Sequence, residues 1–149
     1  MENASKALIM AAEILIGLLI ISLAVYLFTS FGTSAAQINQ RNANQQLAQF
    51  NTKYTTYSGR TDLTVYDIVT VANMAKENNT EYGEVNNYTT YYEIIVRIGG
   101  QRIDTYSQND MDELIQTNQI STKYKLQDSD IQYHEESGRI AQITFRVVN

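Results

Sequence analysis

An α+β architecture is expected from this chain. It would consist of a long N-terminal α-helix, hydrophobic in its first half, packed on a small antiparallel β-sheet domain with one or two short helices. Three observations lead there. The run Leu8–Phe28, LIMAAEILIGLLIISLAVYLF, is apolar apart from Glu13. The polar stretch SAAQINQRNANQQLAQF that follows has neither Gly nor Pro and consists largely of good helix formers. From Tyr88 onward the pattern turns to β-branched and aromatic residues separated by turn signals.

The helix comes first. About 20 apolar residues cross a bilayer, so residues 7–28 are the membrane-spanning or filament-core part of a helix assigned to residues 1–53. A continuous helix over the first ~50 residues is ~75 Å long at 1.5 Å per residue. From Leu15 to Phe28 it is apolar on every side, which calls for lipid or other helices all round. Gly17, Ser22 and Ala24 permit close helix approach, although no GxxxG motif is present. Ser34-Ala35-Ala36 imitates a signal cleavage site, but MENASK lacks a basic excess, so an anchor is the reading adopted. The positive-inside rule is nearly silent, with Lys6 and the amino terminus on one side and Arg41 and Lys53 on the other, and the short N-terminal flank ahead of the whole domain suggests the N-terminus inside and the domain outside.

Glu13 is the discordant residue of the apolar run. A carboxylate inside a hydrophobic span is costly and usually has a partner. In a lone anchor it sits near the interface. In a bundle of parallel copies, Lys6 of a neighbour staggered by seven residues, ~10.5 Å, comes level with it. Such a pair would fix register.

The domain, residues 54–149, follows. Thr64 and Asp67 form a capping-box-like start. Val65, Ile68, Val69, Ala72 and Ala75 then share one helical face, widened by Val71 and Met74, with Asn78-Asn79 as the stop. Thr89–Ile98 reads as a strand, Gly99-Gly100 as a hairpin turn and Gln101–Tyr106 as its return. Asn109–Thr117 is a short helix with acidic residues at its start. Lys123–Tyr133 is a third strand region. Glu136–Arg139 is a turn into a last strand, Ile140–Val148, whose Ala141, Ile143, Phe145 and Val147 should face inward. Ile38, Leu47 and Phe50 are the apolar points with which the polar half of the long helix covers the sheet.

Composition narrows the function. The formal charge of −5 and the scattered Lys and Arg disfavour nucleic-acid binding. With no Cys there is no disulfide or thiolate metal site. His134, the single histidine, stands beside Glu135 and Glu136 in a turn and does not complete a metal set. No GxSxG or GK[ST] motif occurs, so no enzyme, catalytic residue, metal or cofactor is assigned. Asn78-Asn79-Thr80 and Asn87-Tyr88-Thr89 match the short glycosylation sequon. Tyr is the compositional outlier at 11 residues. Tyr54, Tyr57, Tyr66, Tyr88, Tyr91, Tyr92, Tyr106, Tyr124 and Tyr133 serve either as half-buried strand residues or as lateral contacts between packed subunits.

With its segment IMAAEILIGLLIISLA and Glu13 in the fifth place from Ile9, the chain resembles the type IV pilin superfamily. It is also similar to short anchored proteins that open MENASKALIMAA. The first resemblance implies a long half-hydrophobic helix on a small sheet domain, and a structural subunit of an extracellular pilus-like filament with helices bundled in its core. The leader junction of that family, Gly before Phe, is replaced here by Leu8-Ile9, so the first eight residues are expected to be kept. Under this reading the assembly residues are Glu13, Lys6, Gly17, Ile14, Leu18, Ile21, Val25 and Phe28. The partners are copies of the chain itself, the cytoplasmic membrane before assembly and, by the resemblance, pilus assembly machinery. The alternative is a single-pass membrane-anchored surface binding domain.

Overall fold

The computed structural model describes residues 2–82, 92–118 and 121–148. Helix α1 runs Glu2–Thr55 without a break. It is followed by α2 (Val65–Tyr82), β1 (Ile95–Ile98), β2 (Gln101–Arg102), α3 (Gln108–Thr117), β3 (Tyr124–Lys125), β4 (Ile131–Tyr133) and β5 (Ile140–Val147). The chain divides into two compact units, Met1–Gln45 and Gln46–Asn149. The last ten residues of α1 therefore belong to the second, folded unit.

The α+β class stands, but the sheet is mixed rather than antiparallel. Strand β5 is its spine. It pairs with β1 in parallel, Val96 opposite Ile143. It pairs antiparallel with β4, Ile131 opposite Ile143, and with β3, Tyr124 opposite Val147. Strand β2 closes on β1 as an antiparallel hairpin. Its turn holds Gly99 at φ 57, a conformation glycine adopts at little cost. Between β1 and β5 lie a hairpin, a helix and two strands, and such a long connection permits a parallel pair. Local alternation carries no information about strand direction, which is why the sequence pattern suggested antiparallel order throughout.

The phase of β5 is also corrected. Ile143 and Phe145 are buried as expected, but so is Ile140, while Ala141 is half-buried and Val147 exposed. The register explains it. Gln132 faces Gln142 while Tyr133 faces Ile140, so Ala141 is an extra residue on β5. A bulge of this kind shifts the alternation by one and turns Ile140 into the core.

Other elements are shorter or longer than expected. Helix α2 continues past Asn78-Asn79, because both amides reach across the chain instead of capping. Asn78 Nδ2 donates to the Tyr92 carbonyl at 2.7 Å. Asn79 donates to the Ile94 carbonyl at 2.9 Å and accepts from the Ile94 N–H at 2.8 Å. A side-chain amide thus stands in for a neighbouring strand at Ile94, and β1 starts only at Ile95. The expected strand residues Thr89, Thr90 and Tyr91 lie outside the described residues. The strand region Lys123–Tyr133 is interrupted by a 3₁₀ turn, Asp128–Asp130, where Asp130 accepts from the Gln127 N–H at 3.2 Å. The return strand after Gly100 ends at Arg102, since Asp104 takes the Val96 N–H with its carboxylate at 3.0 Å.

Val65, Ile68, Val71, Ala72 and Ala75 of α2 meet Ile94, Val96, Ile103, Ile140, Ile143 and Phe145 in one core. The boxes at Thr64/Asp67 and Ser107/Asp110 cap α2 and α3. The two Ser107 bonds also hold the Asp110 carboxyl below its ordinary range.

Candidate assembly helix

Helix α1 owes its length to the absence of breakers between Glu2 and Thr55 apart from Gly17 and Gly32. Its first 45 residues bury nothing. Leu8–Phe28 are almost wholly exposed in the single chain, with Phe28 at 80%. Three hydroxyls within and just beyond the apolar run are satisfied inside the helix. The Ser22 hydroxyl donates to the Leu18 carbonyl at 2.8 Å, Thr29 to Tyr26 at 2.9 Å and Thr33 to Thr29 at 2.9 Å. Internal satisfaction of this kind is what an apolar surrounding demands. The helix is long and apolar enough to cross a membrane.

All eight predicted assembly residues sit on this helix. Ile14, Leu18, Ile21, Val25 and Phe28 share one stripe within about 40° of its centre line, and Gly17 lies beside it, at about 100° per residue. Lys6 and Glu13, seven residues apart, fall on the flank of that stripe. Lys6 forms an exposed ion pair with Glu2 at 3.1 Å on its own helix. Glu13 is exposed and meets no cation among the described residues.

The folded unit carries features that the pattern of apolar residues did not announce. Asn51, near the end of α1, donates to the Gly138 carbonyl at 2.9 Å and accepts from the Ile140 N–H at 3.1 Å. It fastens the β4–β5 turn to the helix. Leu47 and Phe50 pack beside it, half-buried, whereas Ile38, expected to cover the sheet, is 57% exposed. The Arg139 guanidinium lies 3.7 Å above the Phe50 ring and also faces Tyr82 and Tyr92. An open groove of about 430 Å³ runs between Phe50, Lys53, Tyr54, Glu77, Glu81 and Arg139. Burial pushes the Tyr54 phenol up to about 12, with Arg139 pulling down and Glu77 adding to the rise. A signal for Asn51 existed, namely a polar residue at helical spacing among Leu47, Phe50 and Tyr54, but its partners are some 90 positions away.

Two buried carboxylates are charge-compensated. Asp104 takes Arg102 Nη2 at 2.7 Å, and Arg102 also reaches Glu93 at 2.5 Å. The Asp104 hydrogen bond raises the Arg102 guanidinium above its ordinary value. Asp130 meets Arg146 as an ion pair rather than as an aligned hydrogen bond. His134 Nε2 lies 2.8 Å from the Glu93 carbonyl. Of the two sequons, Asn78 is 7% exposed with its amide engaged, which leaves no room for a glycan, and Asn87 lies outside the described residues. Among the tyrosines, Tyr54 and Tyr124 are core residues, while Tyr66, Tyr92 and Tyr133 are exposed. Tyr88 and Tyr91 lie outside the described residues.

Comparison with protein-family models, curated proteins and solved structures finds no match to this chain. A long apolar N-terminal helix with a small sheet domain is compatible with a pilin-like plan.

Proposed function

We propose that this protein is a structural subunit of an extracellular pilus-like filament. Its apolar helix waits in the cytoplasmic membrane and then packs with copies of itself in the filament core. The observation that carries this reading is the contrast within α1. Its first part exposes Leu8–Phe28 to whatever surrounds it, while its last turns, Leu47–Tyr54, are built into a folded unit with a complete core. In this reading Glu13 takes Lys6 of a parallel neighbour, or the neighbour's amino terminus, as its counter-charge. The cost of an unpaired charge at the centre of a bilayer helix, ~3 kcal/mol, favours such a partner.

A second reading, a single-pass anchored surface domain that binds a partner, is favoured by the groove beside Arg139. Negative-stain microscopy of sheared surface material, with mass spectrometry of the preparation, separates the two. Filaments containing this chain are expected. Lys6→Glu should abolish them by setting like charges together in a dry core. Membrane-bound chain with no filament under any growth condition would leave the anchored-domain reading.

A further inference from the structure

The apolar surface of α1 contains a seam that a lipid environment does not explain. Met10, Ile14, Gly17, Ile21, Ala24 and Phe28 follow one another at alternating steps of four and three residues. The same steps continue, without a fault, to Phe31, Ala35 and Ile38. A bilayer asks for apolarity on every side of a helix and asks it only as far as the hydrocarbon reaches. Past Phe28 the other faces turn polar, with Ser30, Thr33, Gln37 and Gln40, while this one face stays apolar for ten more residues, ~15 Å. Phe31 is 69% and Ile38 57% exposed in the single chain. They are the large apolar side chains between Thr29 and Gln46.

A repeat of 3.5 residues is the pattern by which one helix packs along another in a left-handed supercoil. What covers the seam is therefore a helix with the same repeat. We infer that it is a second copy of α1, parallel and in register, already paired in the membrane; this neighbour is distinct from the filament neighbour that a seven-residue stagger would bring level with Glu13 through Lys6. This goes beyond the filament reading and does not depend on it. Two arguments choose a second copy. Copies inserted the same way present the seam at the same depth and in the same direction. The flanking positions outside the apolar run are Gly32, Ser34, Asn39 and Arg41, so identical helices meet with almost no like-charge opposition there and with no charge code for a different partner. Gly17, Ala24 and Ala35 are small, and nothing crowds the open side of Gly17, so the helix axes can come close.

The chain has no cysteine, so single-cysteine variants of the full protein test this in native membranes. Under mild oxidation, Phe31→Cys, Ala35→Cys and Ile38→Cys should give at least about tenfold more disulfide-linked dimer than Ser30→Cys, Thr33→Cys and Gln37→Cys. Seam positions bring Cα atoms within the ~4–7 Å that a disulfide needs. Equal yields at all six sites, or maxima at Ser30 and Thr33, would overturn the seam. So would, in membranes of cells without filaments, a mixture in which Phe31→Cys chains couple to Ile38→Cys chains better than to themselves, since that marks a one-heptad slip. The seam pattern in cells without filaments would support the pair and reject the filament. Filaments without the seam pattern would do the reverse.

Discussion

The two units of this chain solve the same problem in opposite ways. Residues 2–45 form a helix with no buried side chain, although much of it is apolar. Residues 46–148 bury Tyr54, Leu63, Tyr124, Phe145 and a dozen aliphatic side chains against one another. The folded unit draws its stability from its own interior. The helical unit has no interior, so whatever makes its apolar surface tolerable in water-based life lies outside the single chain. Covering it with lipid or with other helices is a requirement of the hydrophobic effect rather than an option.

The comparison breaks most visibly if the two units are separated. On the proposed reading, deleting Leu8–Phe28 should release the chain from the membrane as a soluble monomer. Its folded unit should melt within a few degrees of the parent in detergent. Fractionation, sedimentation and circular dichroism check this, and a truncated chain that still polymerised would remove the core role of the helix.

A core substitution should affect only the folded unit. Phe145→Ala removes a fully buried ring from the spine strand. A loss of ~3–5 kcal/mol in a urea titration is expected, with membrane association unchanged.

Alkaline pH should also act on one unit. The Tyr54 phenol keeps its proton to about 12 in the folded state, while an unfolded tyrosine loses it near ~10. Between these values the unfolded state binds fewer protons, so stability falls as pH rises. It is intact below about pH 10 and lower by about 2–3 kcal/mol beyond pH 12. Tyr54→Phe should flatten that part of the pH profile. A profile identical to the parent's would show that the phenol ionises freely in the fold.

The smallest effect sharpens the boundary inside α1. Asn51→Leu leaves the Ile140 N–H without its acceptor and should cost ~1–3 kcal/mol. Gly138→Ala attacks the same clamp from the turn, since a Cβ there sits 3.2 Å from Leu47 Cδ2 on a backbone at φ 66. The two losses should be less than additive in a double-mutant cycle. Additive losses would mean that the helix end and the turn are held independently.

Local spacing was enough to read α1, the amphipathic face of α2, the Gly99-Gly100 hairpin and the start of α3, because each depends on neighbours a few residues apart. It was also enough to place the eight candidate assembly residues on one helix, since all lie between Lys6 and Phe28. The tertiary structure decided the rest. Strand β1 runs parallel to β5, and Ala141 bulges so that Ile140 turns inward. Asn51 and Asn79 act as surrogate backbone partners for residues far along the chain. A strand's edge can hydrogen-bond to any compatible edge in either direction, and an amide side chain to any exposed backbone pair. The choice among them is made by which arrangement closes the core at once, a condition on the whole folded unit that no short window of residues contains.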